Sequence, residues 1–214
     1  MSAEVASVLL ELNLRYALAL ESGQLEQLAA YADLVMRWQR VTNLTAAANA
    51  LAFTREHVAD TLAALPYLRA RSIVDVGSGN GVPGIVLAIA QPASRVVLLE
   101  PRARRARFLT QARIELGLAN TEVIVARVEQ WQVDTAYELV VTRAFAELAR
   151  FVAATRALRQ AGTRLVAMKG RLDPRELVAC GLAPGDMSTI ALDVPGFSHR
   201  HLVVIEAARS AARE

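Results

Sequence analysis

The chain predicts an α/β fold: a mostly parallel seven-stranded sheet with an antiparallel hairpin at its edge and a helical extension at the N-terminus. Three observations lead there. From residue 72 to residue 179, strand patterns alternate with helix patterns, as in parallel βαβ units of a doubly wound sheet. A β-branched run, Ser72 to Val76, enters the glycine-spaced loop Gly77-Ser78-Gly79-Asn80-Gly81, and an apolar helical pattern follows. A strand, a glycine turn and a helix start form nucleoside-cofactor pockets in open α/β sheets. Before them lie stretches of helical periodicity without strands.

Taken in order, residues 3–20 and 24–41 read as helices. Leu9, Leu12, Tyr16 and Leu20 share one stripe, and Leu28, Tyr31, Val35 and Trp38 share another. Gly23 separates them. Asn43-Leu44-Thr45 reads as a loop, and a third helix covers residues 50–64. Pro66 and the Arg69–Arg71 region mark a boundary, giving an extension over residues 1–70 packed on a main domain over 71–214. Strands are expected at 72–76, 95–99, 121–125, 138–142, 163–169, 187–193 and 201–207, and helices at 83–90, 102–116, 147–159 and 173–179. The last two strands have Pro195-Gly196 between them and no helical pattern, so they form the edge hairpin. No internal repeat or low-complexity tract interrupts the chain.

The 214 residues suffice for one well-buried domain with an extension. No apolar run approaches the ~18 residues of a membrane span, and no signal peptide is visible, so a cytoplasmic protein without a membrane partner is expected. The single cysteine, Cys180, forms no internal disulfide and fits a reducing compartment. No Cys/His cluster has zinc spacing, so no metal is expected. Charge is uneven: residues 1–70 carry 5 basic and 7 acidic side chains, residues 71–171 carry 15 and 8, and residues 172–214 carry 4 and 6. The glycine loop lies in the basic middle segment, which suits a polyanionic partner, although local arginine excess on a solvated surface reads the same way. Lys169 is the sole lysine beside 23 arginines. An ammonium is a point charge where a guanidinium is a planar fork, so Lys169 is a candidate for a task arginine cannot perform.

Gly79-Asn80-Gly81-Val82-Pro83-Gly84 formally matches the dinucleotide fingerprint, a weak signal alone. In register with the strand end, the first glycine is Gly77, and Asp75 precedes it by two. A pyrophosphate at the helix start would meet that carboxylate. S-adenosylmethionine has no phosphate and carries a sulfonium and an ammonium, so it suits Asp75 better than NAD does. A Walker A ending is absent. Glu100 ends the second strand, 23 residues after Gly77, where a carboxylate can hold ribose hydroxyls; a helix-terminus charge is the plainer reading. Ala126-Arg127-Val128-Glu129 follows the third strand, where an adenine ring would pack against Val128.

These residues together resemble the bacterial rRNA small-subunit methyltransferase G family, also called glucose-inhibited division protein B. The likeness runs from about Tyr31 to Ile205. It includes Trp38, Asn43-Leu44-Thr45, His57 and Asp60, then Val74-Asp75-Val76-Gly77-Ser78-Gly79 with Gly81-Val82-Pro83-Gly84-Ile85. It continues through Arg107-Phe108-Leu109, Arg127-Val128-Glu129, Arg143-Ala144-Phe145-Ala146, Lys169-Gly170 and Arg200-His201-Leu202-Val203-Val204. The family often has Trp-Asn where this chain has Trp38-Gln39, and aspartate where it has Glu100. The resemblance implies a class I, Rossmann-like methyltransferase fold and methyl transfer from S-adenosyl-L-methionine to N7 of a guanine in 16S ribosomal RNA, free or in the 30S subunit. It places cofactor contacts at Gly77, Val82, Val128, Glu129 and Arg143; Gly79 belongs to the same loop. A monomer is expected.

The missing groups agree with N7 chemistry. Thr142-Arg143-Ala144-Phe145 stands where enzymes acting on exocyclic amines carry an Asn/Asp-Pro-Pro-aromatic turn. Cys180 lies away from the expected pocket, so no thiol nucleophile is indicated. Guanine N7 has a lone pair and no proton to lose, so alignment and water exclusion suffice. Arg143 is the leading catalytic candidate, orienting either the cofactor's carboxylate or guanine O6. Lys169 is a candidate for a phosphate or base oxygen, and Arg127 and Arg200 for RNA phosphates; each has a salt-bridge alternative. Arg102, Arg104, Arg105 and Arg107 form a basic run that reads as a solvated helix face or an RNA contact. Phe145 or Trp38 is available to stack on a flipped guanine. Trp38 also fits a helix core, and His57 fits a buried, hydrogen-bonded histidine. The alternatives are a small-molecule methyltransferase on the same fold, a NAD-dependent oxidoreductase and a non-enzymatic RNA-binding protein.

Overall fold

A computed structural model describes residues 2–133, 135–143, 145, 147–160, 162–183 and 185–206. Ala144 and Ala146 of the Arg143–Ala146 segment, and Ala207 of the expected last strand, lie outside the described residues.

Seven strands form one sheet: β1 (Ser72–Val76), β2 (Arg95–Leu99), β3 (Thr121–Ile124), β4 (Leu139–Arg143), β5 (Arg164–Lys169), β6 (Met187–Ala191) and β7 (His201–Glu206). Their order is β3-β2-β1-β4-β5-β7-β6. The first five run parallel, while β7 pairs antiparallel with β5 and β6. The order reverses at β1, between β2 and β4. In such sheets, ligands bind in the crevice at the carboxyl ends of the strands beside that reversal.

Alternating residues of each strand serve opposite faces. Ile73, Val96, Leu98, Val141 and Val166 belong to one core with the N-terminal helices and α5 (Gly84–Ala90). Val74, Val97, Leu99, Val140 and Leu165 belong to a second core with α7 (Leu148–Ala154). The first core runs without a break from Val5 to Val204, so the N-terminal helices form one of the two layers covering the sheet.

The first helix ends earlier than its periodicity predicts. α1 spans Ala3–Arg15, and Ala17 and Ala19 take left-handed φ values of 49° and 56°, a strained choice for residues with a Cβ. The turn brings Leu18 and Leu20 into the core, and the Asn13 side chain holds both main-chain polar groups of Leu20 (3.0 and 3.1 Å). Leu20 is thus buried from a loop, and hydrophobic periodicity reports burial without distinguishing these routes. α2 (Ser22–Gln39) starts with a reciprocal Glu21/Gln24 capping box. The third helix is interrupted as well: α3 (Ala50–Phe53) passes through a π-helical segment, Thr54–Val58, into α4 (Ala59–Ala64). The expected helix over 147–159 divides into α7 and a 3-10 turn at Arg156–Leu158. The remaining helices are α6 (Ala103–Glu115) and α8 (Pro174–Val178). No described helix is long and apolar enough to cross a membrane.

Candidate active site

The loop after β1 is held from several sides. Gly77, Gly79 and Gly81 have φ values of 74°, 55° and 92°, the left-handed region that glycine adopts without penalty. Gly77 N–H donates to Leu99 C=O at 2.8 Å. Tyr31, on α2, donates its buried hydroxyl to Asn80 C=O at 2.5 Å, so the helical layer grips the loop directly. That role for Tyr31 had no local signal beyond its place on a helix stripe.

Asp75 lies underneath this loop. It is 1% exposed, and Oδ2 accepts from Gly84 N–H at 3.0 Å, while Oδ1 has no hydrogen-bond partner. Burial raises its carboxyl to about 7. The expected picture of Asp75 beside a cofactor cation is therefore corrected: it caps the first turn of α5 from inside and is not a wall of the cleft. Its case against NAD becomes stronger, because the helix terminus that would take a pyrophosphate is already occupied by a carboxylate.

The raised carboxyl has a consequence for stability. Protonation is tighter in the folded state than at the ordinary 3.8, so the contribution is fully present below about pH 3.8 and lost as pH rises to about 7. Asp75→Asn keeps an acceptor for Gly84 and never ionises. Its stability relative to wild type is expected to be about 2 kcal/mol more favourable at pH 8 than at pH 5. Urea unfolding at the two pH values measures this, and an equal difference at both would show that Asp75 does not titrate between them.

Glu100 is also buried beneath the loop. Its two oxygens accept from Gly79 N–H (2.8 Å) and Arg102 N–H (2.9 Å). It joins the first glycine loop to the start of α6 and does not line the cleft found beside it. Val82 is likewise buried in the core rather than on the cleft wall. Gly79 faces Arg105, whose guanidinium donates to Asn43 C=O at 3.2 Å. Of the basic run, Arg105 is thus partly tied down, while Arg102, Arg104 and Arg107 are exposed.

Two cavities meet at Phe145. The first, about 250 Å³, lies at the carboxyl ends of β1 and β2 and is lined by Gly77, Pro101, Val128, Glu129 and Phe145 among others. Ala126 and exposed Arg127 complete that side. It combines apolar walls with one carboxylate, Glu129, and a glycine where the main chain meets the space. That donor set fits an adenosine with a cationic substituent.

The second cavity, about 520 Å³, opens at the ends of β4 and β5 and is lined by His57, Asp60, Arg143, Phe145, Lys169 and Arg200 among others. Arg143 faces this cavity, not the first. Arg143 Nη1 donates to His57 Nδ1 at 2.8 Å and lies 3.8 Å from Asp60 Oδ2. Asp60 Oδ1 accepts from Arg200 Nε at 2.8 Å. The Arg200 guanidinium lies 4.0 Å from the Phe197 ring centroid, a cation–π contact. Lys169 pairs with Glu176 (2.5 Å) and approaches Phe145 C=O (3.4 Å). Glu176 also accepts from Leu148 N–H at 2.8 Å, so the sole lysine joins β5 to α7 and α8. Burial lowers His57 to about 4, with Arg143 adding to the effect.

The structure thus brings Arg143, Lys169 and Arg200 together and places Arg127 with Val128 and Glu129 at the neighbouring cleft. Trp38 lies elsewhere, edge-on to Phe108 at 5.8 Å, which leaves Phe145 as the aromatic ring at the junction. Asp60 belongs to the cluster too; its three-residue spacing from His57 on one helical segment was the available signal. Cys180 lines neither cavity.

A family model described as rRNA small subunit methyltransferase G matches residues 24–203. The ribosomal RNA small subunit methyltransferase G of Laribacter hongkongensis is 43% identical over 190 residues, covering 87% of this chain and 90% of the relative. The protein of the same name from Alkalilimnicola ehrlichii is 39% identical over 201 residues, covering 94% and 91%. Among solved structures, the S-adenosylmethionine-dependent methyltransferase SibL in its apo form superposes with a TM-score of 0.59 at 16% identity, covering 86% of this chain and 70% of the other. That last likeness is one of fold.

Proposed function

The chain belongs to the rRNA small subunit methyltransferase G family, and from that premise we propose which atom it modifies and how. It is an S-adenosylmethionine-dependent methyltransferase of small-subunit ribosomal RNA. The acceptor we infer is N7 of a guanine, in the assembled 30S particle or in free RNA, with the protein acting as a monomer in the cytoplasm.

One observation supports N7 above other acceptors: His57, Asp60, Arg143, Lys169 and Arg200, around the second cavity, are engaged with one another or with Glu176 and Phe197. Asp60 is held between two guanidiniums, and His57 has its Nδ1 occupied by one. Neither is placed to take a proton. Guanine N7 offers a lone pair and no proton, so this arrangement suits it.

S-adenosylmethionine, when bound, supplies an electrophilic methyl group on a sulfonium. Gly77, Val128 and Glu129 are the residues proposed to hold it. Ala126 and Val128 offer an apolar wall to an adenine, and Glu129 a carboxylate for polar groups of the adenosine. Gly79, Val82 and Glu100 shape the loop from behind, and Glu100 would reach a ribose only through oxygens that already accept from N–H groups. Phe145 stands between the two cavities, where a flipped guanine would stack on it. Arg143 points a charged fork into the acceptor side, where guanine O6 or a flanking phosphate would accept from it. Its expected contact with the cofactor's carboxylate would lie across the Phe145 junction. Lys169 and Arg200 are proposed as neighbouring RNA contacts, and Arg127 as a contact at the mouth of the first cleft.

The test is transfer of labelled methyl to hypomethylated 30S subunits and to protein-free 16S RNA, followed by mass spectrometry of the digested RNA. Label recovered as 7-methylguanosine is expected. Label in another modified nucleoside would overturn the N7 assignment. Label absent from both RNAs but present on a small molecule would favour the small-molecule alternative.

A further inference from the structure

We propose that His57 is a positioning residue for Arg143: a neutral imidazole acceptor that aims the guanidinium into the acceptor cavity without neutralising it. This rests on the assignment of Arg143 to the acceptor site.

A guanidinium only donates, so the 2.8 Å contact between Arg143 Nη1 and His57 Nδ1 makes Nδ1 the acceptor. The ring proton is then on Nε2, which lies 3.0 Å from Thr45 Oγ1 and donates to it. Thr45 is fixed in its loop by Gln39, whose Oε1 accepts from Leu44 N–H and Thr45 N–H (2.6 and 2.9 Å). The imidazole is also seated edge-on against Phe53, 5.1 Å between centroids. Both ring nitrogens and one ring face are therefore specified.

Asp60 does not perform this task. Its close partner is Arg200, at 2.8 Å, whereas Arg143 stands 3.8 Å away. Among the described residues, the hydrogen bond that sets the direction of Arg143 is the one to His57. An uncharged acceptor there leaves the guanidinium's charge available to an oxygen of the substrate. The π-helical segment Thr54–Val58 contains His57 just ahead of Asp60 in α4. π-Helical turns inside α-helices occur frequently at functional sites.

The experiment compares His57→Asn with His57→Gln. The asparagine carboxamide places its oxygen near the position of Nδ1, and the glutamine carboxamide places its own near Nε2. Both are polar and of similar size, so a general packing effect falls on both. His57→Asn is expected to retain kcat/KM for rRNA within about 5-fold of wild type, and His57→Gln to lose about 30-fold or more. Affinity for protein-free rRNA, measured without cofactor, is expected to follow the same order. In an Arg143→Ala background, the two variants are expected to bind RNA equally, because the residue they position is gone. Equal behaviour of the two variants in the wild-type background would overturn the proposal, as would a difference that persists without Arg143. If Arg143→Ala itself methylates rRNA normally, the assignment of Arg143 fails instead, and the two failures are distinguishable.

Discussion

Replacing Arg143 with alanine is expected to lower kcat/KM for rRNA methylation by about 100-fold or more while leaving the fold intact. The expectation rests on how Arg143 is held. It ends β4 with its side chain 17% exposed, and burial is the largest influence on it, pushing its guanidinium down. The protein keeps a cation where desolvation opposes it, and its nearest carboxylate, Asp60, pairs more closely with Arg200. Removing one member of a fully buried pair costs about 3–5 kcal/mol. Here the loss should fall below that range, because Asp60 keeps Arg200. A fixed, underused charge facing a cavity is expensive for stability and useful for orienting an anionic or electron-rich substrate. Thermal melting and binding of S-adenosylmethionine by calorimetry are the controls. A variant that melts and binds cofactor like wild type yet fails to modify RNA is the expected result. Near-normal turnover would remove Arg143 from the mechanism.

Gly84→Ala is expected to produce the largest loss of stability, about 3 kcal/mol or more, with cofactor binding lost alongside. A Cβ at Gly84 would lie 2.2 Å from Leu98 Cδ2 and 2.6 Å from Asp75 Oδ2. Both atoms belong to central strands of the sheet and have little room to retreat. The clash would push α5 off β1 and β2 and break the bond from Gly84 N–H to Asp75 that anchors the loop. At about 2–4 °C per kcal/mol for a chain of this size, a fall in melting temperature on the order of 10 °C follows. Gly77→Ala gives the contrast. Its added Cβ would meet nothing within 4 Å, so only its φ of 74° opposes it, at about 1–2 kcal/mol. A smaller loss for Gly84→Ala than for Gly77→Ala would show that the helix can move off the sheet cheaply.

Much of the fold was legible because strand and helix patterns have different periods. β1 and β2 fall where β-branched runs predicted them, and the edge hairpin follows from Pro195-Gly196 with no helical pattern around it. The misreadings occur where periodicity and burial part company. Leu20 is buried but not helical, because Ala17 and Ala19 turn left-handed, and no composition rule announces that in alanine. Thr54–Val58 keeps helical spacing closely enough that its π geometry is invisible in the residue pattern.

The candidate site divides along the same line. Its members lie in strand-end loops that the pattern located: Gly77, the Ala126–Glu129 segment, Arg143 and Lys169. What each side chain does was less accessible. Asp75 and Glu100 looked like ligands because carboxylates at strand ends commonly are. In the structure both turn inward and accept main-chain N–H groups of the loop and its flanking helices. Lys169, singled out by its rarity, is paired with Glu176, a partner seven residues away that a parallel-sheet register cannot reveal.

The sequence by itself determined the class of fold, the position of the cofactor loop, the family and the residues that reach the strand ends, because local periodicity, glycine spacing and motif order are one-dimensional properties. Only the tertiary structure decided that Asp75 blocks the helix terminus from within and that Phe145 stands between two cavities. It also decided that His57 reaches Arg143 across 86 positions of chain. Those facts depend on which way a side chain turns after the sheet and helices have packed, and that direction is set by neighbours distant in sequence.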